Sequence, residues 1–138
     1  MAALTAASKR TFVGVPEVLN LKTAGNDTYF EGALLHIDTD GYADVPSDTA
    51  ACPPIGVYSG RQGQSFAVDN GDHDEIEVLR GKCWVAFSGA QSDVGELFYL
   101  SDDNTLTQTA GSKNWALLCV GYKSGYVLLD FASPVYTG

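Results

Sequence analysis

The first candidates for chemistry in this sequence are two acidic stretches, because carboxylate oxygens are the usual ligands of hard cations such as Ca²⁺. The first stretch, HIDTDGYAD, contains a DxDG pattern beginning at Asp38. A calcium loop also needs a bidentate glutamate at its twelfth position, which here is Thr49. The second stretch, DNGDHDEIE at residues 69–77, has no spacing typical of a ligand set. We therefore interpret both stretches as polar turns, and we predict no metal and no cofactor.

Residues for nucleophilic catalysis are also missing. A Ser or Cys nucleophile needs a neighbouring base, and the two histidines, His36 and His73, fall in a predicted strand and in an acidic turn. No GxSxG elbow, HExxH helix or P-loop lysine occurs. The three cysteines, Cys52, Cys83 and Cys119, form no CxxC pair. We therefore predict that the protein is not an enzyme.

The elements that carry these residues are predicted to be short β-strands. Apolar and polar residues alternate between turns rich in Gly, Asp and Pro, and no segment of about twelve residues has the 3.6-residue period of a helix. The composition agrees, with 15 glycines and only 18% charged residues. We predict an all-β, mainly antiparallel fold, a small β-barrel or β-sandwich of about eight to ten short strands. At most one or two short helices are expected, near GAQSDVG or SDTAA.

One pattern occurs twice, as GALLHIDTDGYA at residues 32–43 and GELFYLSDDNTL at residues 95–106. Each copy has a leading glycine, an apolar strand, an acidic turn and a return strand, and a strand with a central glycine follows. We predict two similar hairpin units, at about residues 32–60 and 95–125, whose apolar faces pack together. The structural turn positions in these units are Gly32, Gly41, Gly56, Gly95, Asp103 and Gly121.

The beginning of the chain differs from the rest. Residues 1–16 are mostly small or polar, and Gly14 and Pro16 interrupt any regular element in TFVGVP. We predict an extended N-terminal arm at residues 1–16, followed by a single β-domain at residues 17–138. A disordered leader is the alternative interpretation of this segment.

The charge and hydropathy exclude two classes of partner. The net charge is −9, from 17 acidic and 8 basic residues, and such a field repels nucleic-acid phosphates. No apolar run approaches the roughly 18 residues of a transmembrane helix, and the N-terminus does not read as a signal peptide. We therefore predict that the protein binds neither nucleic acid nor a membrane.

The aromatic residues leave one binding function open. Trp84, Trp115 and the tyrosines could form a platform on which sugars stack. However, the two tryptophans lie in the apolar contexts CWVAF and WALLCV, which favour packing in a core or at a protein interface.

The C-terminal stretch GELFYLSDDNTLTQTAG, continued by ALLCVGYKSGYVLLDF, resembles small β-rich capsid decoration (cement, or head-stabilising) proteins of tailed bacteriophages. The resemblance covers about the last forty-five residues well and the stretch EGALLHIDTDGYA to IGVYSG more loosely. The N-terminal arm and the GDHDEIE insert have no counterpart in it. The matching positions are Gly95, Tyr99, Asp103, Thr107, Gly121, Val127 and Leu129.

This resemblance implies a structural virion protein that decorates the outside of an assembled capsid and stabilises the head. It implies the major capsid protein as partner, a homotrimer, and a location on the virion exterior after assembly in the host cytoplasm. In the arm, the residues expected to contact the capsid are Lys9, Arg10, Thr11, Phe12 and Val13. The alternative is a carbohydrate- or receptor-binding β-module of a phage head or tail fibre.

Overall fold

The computed structural model describes residues 2–47, 52–69 and 71–138. Its twelve strands pair antiparallel, which confirms the predicted all-β fold and exceeds the predicted number of strands. The strands are β1 (Thr11–Lys22), β2 (Asp27–Phe30), β3 (Leu34–Ile37), β4 (Ala43–Asp44), β5 (Pro54–Tyr58), β6 (Ser65–Val68), β7 (Glu75–Ala86), β8 (Leu97–Leu100), β9 (Leu106–Thr107), β10 (Trp115–Lys123), β11 (Tyr126–Asp130) and β12 (Val135–Tyr136).

Helical structure in the described chain is limited to a 3₁₀ turn at Gln91–Asp93, which lies in GAQSDVG. The other expected helix position, SDTAA, falls almost wholly outside the described residues. A membrane-crossing helix, with its required length and apolarity, is not found among the described residues.

Ten strands form one curled sheet, and β2 and β6 form a separate pair. The order is β4-β3-β5-β7-β11-β10-β8-β9, with β1 added to β7 and β12 added to β10. β7 is the central strand of this arrangement. Leu79 pairs with both β1 and β5, whereas Cys83 pairs with both β1 and β11. Strands β5 and β11 therefore share one edge of β7, and β1 occupies the other edge along its length.

The curled sheet encloses two hydrophobic cores, and β7 contributes to both. Ile76 and Val78 pack in the first core, whereas Cys83 and Val85 pack in the second. Because successive side chains of a strand point to opposite faces, this change from even to odd positions shows that β7 buries a different face on each side of Gly81. The first core also contains Tyr29, Ala33, Leu35, Ala43, Tyr58 and Val68. The second also contains Leu34, Val57, Phe98, Leu100, Leu106, Leu117, Cys119, Val127, Leu129 and Phe131.

The two hairpin units share one register. His36 lies opposite Asp44 in the β3–β4 hairpin, and Tyr99 lies opposite Thr107 at the corresponding place in β8–β9. The order of strands in the sheet shows the same correspondence between the two units. From one end of the sheet the order is β4-β3-β5-β7, and from the other end it is β9-β8-β10-β11. The repeated sequence pattern therefore corresponds to a repeated arrangement of strands around the β7–β11 pair.

The two units differ in their third strands. Gly56 of β5 lies opposite Leu35 of β3, inside its own unit. Gly121 of β10 lies instead opposite Leu128 of β11, so these two aligned glycines occupy different places in their units. Both lie inside strands rather than in turns. A Cβ atom at Gly56 would overlap the Leu79 carbonyl oxygen. Gly56 therefore permits β5 to approach β7 closely.

β1 crosses the expected boundary between arm and domain at residue 16. It pairs with β7 along its length, and its register shifts between Val13 and Glu17, opposite Gly81. The residues at this shift include Gly14 and Pro16, which the sequence pattern marked as breaking regular structure. An edge strand tolerates both, because a bulge leaves residues outside the ladder and proline loses no hydrogen bond there.

Candidate interaction surface

The N-terminal segment, residues 2–10, is bonded to both hairpin units. The Leu4 backbone N–H donates a hydrogen bond to Asp103 Oδ1 over 2.8 Å. The Arg10 side chain donates through Nε to the Gly32 carbonyl oxygen at 2.7 Å and through Nη2 to Asn104 Oδ1 at 2.8 Å. Since Gly32 begins one unit and Asn104 lies in the turn of the other, Arg10 links the two units.

Gly32 makes this arrangement possible. Its φ of +89° lies in the left-handed region, and a Cβ atom there would overlap the Ser8 carbonyl oxygen. The neighbouring Glu31 carbonyl accepts a hydrogen bond from the Ser8 N–H at 2.7 Å. The sequence pattern predicts a turn at Gly32, and in the structure the N-terminal segment also passes close to the first unit at this residue.

Burial shapes the electrostatics beneath this segment. Burial lowers the pKa of the Arg10 guanidinium, while Cys83 and Asp103 oppose that shift. Asp103 is only 3% exposed, and burial raises the pKa of its carboxyl, which the Leu4 N–H and Arg10 counteract. Burial also raises the pKa of Cys83 to about 12, so this thiol stays protonated near neutral pH. The two oppositely charged side chains below the segment, Arg10 and Asp103, therefore interact electrostatically.

A cavity of about 300 Å³ opens beside Arg10, and we call it the cationic cavity. Lys9 and Arg10 line it from the N-terminal segment, and Lys123 lines it from the end of β10. The Lys123 ammonium lies 4.5 Å from the ring centroid of Trp84 and 5.3 Å from that of Tyr126. Such cation–π contacts hold a lysine in place while leaving its charge uncompensated.

The second surface feature is the unpaired edge of β1. β7 covers one edge of β1, and no other named strand of the described chain pairs with it. Three valines next to this edge are exposed, Val13 at 50%, Val15 at 98% and Val18 at 56%. An edge strand with free backbone groups and exposed apolar side chains is a ready site for pairing with another strand.

The five residues expected to contact a capsid divide between two environments. Lys9, Thr11 and Val13 are exposed. Arg10 is half-buried in its bonds to the hairpin units, and Phe12 is half-buried against the second core. Because successive side chains of an extended chain point to opposite faces, Lys9, Thr11 and Val13 are the three that face solvent.

The sequence interpretation assigned no individual role to two residues of this surface, Lys123 and Tyr126. Trp84 was assigned to a core or interface because of its apolar neighbours, but it is half-buried at the cavity and carries Lys123 on its ring. Trp115, the other candidate for sugar stacking, packs edge-to-face on Tyr136 with ring centroids 5.1 Å apart. A basic residue at the end of the β10 strand, Lys123, was the available signal for the cavity.

The two acidic stretches lie away from the cationic cavity, and each contains a turn. Asp38 Oδ1 accepts hydrogen bonds from the backbone N–H groups of Asp40 and Tyr42, both at 2.9 Å, which is an Asx turn. The second stretch leads into β7 at Glu75, and its described residues 69 and 71–75, which we call the acidic turn, are held by His73. Its ring stacks on Tyr42 with centroids 4.0 Å apart, and its Nδ1 lies 2.8 Å from the Thr23 carbonyl oxygen. No group of metal-binding side chains is found among the described residues.

The remaining turn positions serve the backbone. Gly41 and Gly95 have φ values of +89° and +94°, and no atom lies within 4 Å of a Cβ built on either. Gly121 lies closer to its surroundings, since a Cβ there would be 3.2 Å from the Cβ of Leu128. The first two glycines are therefore required for their backbone conformation, whereas Gly121 favours close packing of β10 on β11.

No protein-family model matches the sequence, and a search of curated proteins finds no significant match. The fold does have a solved counterpart. It is similar to a chain in the structure "The capsid of Myoviridae Phage XM1", with a TM-score of 0.55 and 13% sequence identity. The match covers 95% of this chain and 93% of that chain, so it extends over the whole architecture. At this identity the likeness is one of fold.

Proposed function

We propose that the protein is a structural component of a bacteriophage virion. The observation that carries this proposal is the fold match along 95% of the chain to a chain in a phage capsid structure. The sequence resemblance to phage decoration proteins points the same way from different evidence. A β-rich fold held together by two cores and presenting an open strand edge suits a role in binding rather than in catalysis.

The finer part of the proposal is that the protein decorates the outside of the assembled head and stabilises it. An exterior location suits a net charge of −9, since packaged DNA would repel such a protein. In this proposal the partner is the major capsid protein, and decoration follows head assembly in the host cytoplasm. The resemblance adds a homotrimer as the decorating unit.

The β1 edge is the surface we assign to capsid contact. A strand or extended loop of the capsid protein would continue the sheet beyond β1, with main-chain hydrogen bonds providing affinity. Thr11, Val13 and Val18 would lie beside that strand, and Lys9 would reach past its end. Since many copies bind one particle, a modest affinity for each contact is sufficient to hold the shell.

A binding experiment with heads assembled without this protein tests the proposal. We expect saturable, stoichiometric binding and a higher melting temperature of the decorated heads. Val18→Lys places a charge on the edge strand and is expected to weaken binding at least tenfold, because a buried unpaired charge opposes strand addition. Val94→Lys is the matched control, since Val94 is an exposed valine away from β1. Absence of binding, or equal loss in both variants, would contradict the proposal.

A further inference from the structure

The cationic cavity is unusual for this molecule. It gathers three of the eight basic residues of a chain with net charge −9, namely Lys9, Arg10 and Lys123. No aspartate or glutamate lines it. Neither of the two ion pairs in the described part of the chain involves these three residues. Positive charge is therefore concentrated at this site, and Asp103, the carboxyl group that interacts with Arg10, does not line the cavity.

Two of the three positive groups are also held in place. Arg10 is fixed by its bonds to Gly32 and Asn104, and Lys123 lies over the rings of Trp84 and Tyr126. Charges fixed in this way lose little side-chain freedom when an anion binds, and the low-dielectric walls of a cleft strengthen their field. The site therefore suits an anion such as a carboxylate, which guanidinium and ammonium groups bind with charge-assisted hydrogen bonds.

Complementary carboxylates lie at the other end of the same ribbon. The pairing of β1 with β7 begins with Thr11 opposite Trp84 at the cavity and ends with Lys22 opposite Glu75 in the acidic turn. A twelve-residue strand extends about 35 Å, so the acidic turn cannot reach the cavity of its own molecule. The exposed acidic residues of this turn are Asp69, Asp72, Asp74 and Glu75.

We propose that the cationic cavity binds carboxylates of the acidic turn of a second copy of this chain, so that copies associate head to tail. Opposite charges at the two ends of one ribbon favour this geometry over a symmetric contact between identical patches. A head-to-tail contact closes into a ring when its rotation permits and otherwise continues as an open chain. The association is a property of the protein alone and does not depend on capsid docking.

Two charge reversals test this contact. Lys123→Glu alters the cavity, and the double variant Asp72→Lys with Asp74→Lys alters the turn. Sedimentation equilibrium at up to about 1 mM protein is expected to show association of the native chain and at least a tenfold weaker association of each variant. Lys82→Glu is the matched control, because Lys82 is exposed and does not line the cavity. Circular dichroism checks that every variant is folded.

Mixing the two variants provides the decisive measurement. The intact acidic turn of Lys123→Glu can enter the intact cavity of the turn variant, so we expect association to return with one-to-one stoichiometry. A monomeric native chain at every concentration, or a mixture that stays monomeric, overturns the inference. If Lys123→Glu associates normally but binds heads weakly, the carboxylates come from the capsid. In that case this inference is wrong, while the proposed docking on the capsid remains supported.

Discussion

At the residue scale, two glycines with the same backbone angle have different roles. Gly32 and Gly41 both have φ of +89°, where alanine is strained by about 1–2 kcal/mol. Only at Gly32 would the added Cβ also overlap the Ser8 carbonyl oxygen. The positive φ angle explains why each turn needs a glycine. The overlap explains why the N-terminal segment can pass beside Gly32 only when that residue has no side chain.

The prediction that follows compares Gly32→Ala with Gly41→Ala. We expect the first to lower the free energy of unfolding by about 3 kcal/mol or more, because strain and displacement of the N-terminal segment add, and the second by about 1 kcal/mol. Urea denaturation of both variants measures the difference. Equal losses would show that the close approach of Ser8 to Gly32 contributes nothing to stability.

Asp27 provides a pH-dependent prediction at the same scale. Burial raises the pKa of its carboxyl to about 6, the Thr28 N–H opposes this shift, and the nearby Asp44 adds to it. Because the pKa is higher in the folded protein than in the unfolded chain, the folded state binds the proton more tightly. The resulting stabilisation is complete below the unfolded pKa of about 4 and is lost as the pH rises through about 6.

The test compares the native chain with Asp27→Asn, which keeps the shape of the side chain and removes its titration. We expect the melting temperature of the native chain, relative to that of the variant, to fall between pH 4 and pH 7. Thermal melts followed by circular dichroism at several pH values within this range measure it. A difference between the two proteins that is independent of pH would show that Asp27 does not titrate in this way.

At the element scale, the N-terminal segment acts as a clamp across the two hairpin units. Leu34 of the first unit donates its N–H to the Asp103 carbonyl oxygen of the second at 2.8 Å, so the units also meet directly. Arg10 adds its bonds to Gly32 and Asn104 over this junction. An arm that was expected to be separate from the domain is therefore part of what holds the two units together.

The clamp predicts different outcomes for two neighbouring substitutions. Arg10→Ala removes a charged donor and leaves the partly buried oxygen atoms of Gly32 and Asn104 without their hydrogen-bond donor. We expect this change to lower the free energy of unfolding by about 2–3 kcal/mol. Lys9→Ala removes an exposed side chain and is expected to change it by less than about 0.5 kcal/mol. Chemical denaturation measures the free energy of unfolding of each variant. Similar losses in both variants would show that Arg10 does not hold the two units together.

β1 and β7 are the elements that join the two halves of the molecule. Each is twelve residues long, and β7 pairs with β5 near its beginning and with β11 near its end. The irregularity opposite Gly81 lies between those two regions. A bulge increases local twist and bends a strand, which allows one continuous ribbon to follow both parts of a curled sheet.

At the scale of the whole molecule, the two charged sites and the unpaired strand edge all lie along the β1–β7 ribbon. The cationic cavity lies at the beginning of β1, the acidic turn lies beyond its end, and the unpaired edge with its exposed valines runs between them. In the proposed virion, the edge would contact the capsid while the two ends contact neighbouring copies. The charge-reversal experiment and the Val18→Lys experiment address these contacts separately.

The sequence by itself determined the fold class and the local form of the two hairpins. Alternation of apolar residues and Asp- and Gly-rich turns are local signals, since each depends on residues a few positions apart. They aligned the two hairpins with each other, and in the structure the hairpins have corresponding strand pairs, His36–Asp44 and Tyr99–Thr107. They also located the acidic stretches in turns, although the last three residues of the second stretch belong to β7.

Only the tertiary structure decided how β1 joins the sheet and which residues form the cationic cavity. Gly14 and Pro16 read locally as breaks, yet a long partner strand provides the ladder in which a bulge accommodates them. Lys9 and Lys123 are distant in sequence. They lie at one cavity because β1 and β11 flank β7 and the β10 strand, which ends at Lys123, pairs with β11. Contacts between distant segments depend on the packing of the entire chain, and short-range sequence patterns carry no information about that packing.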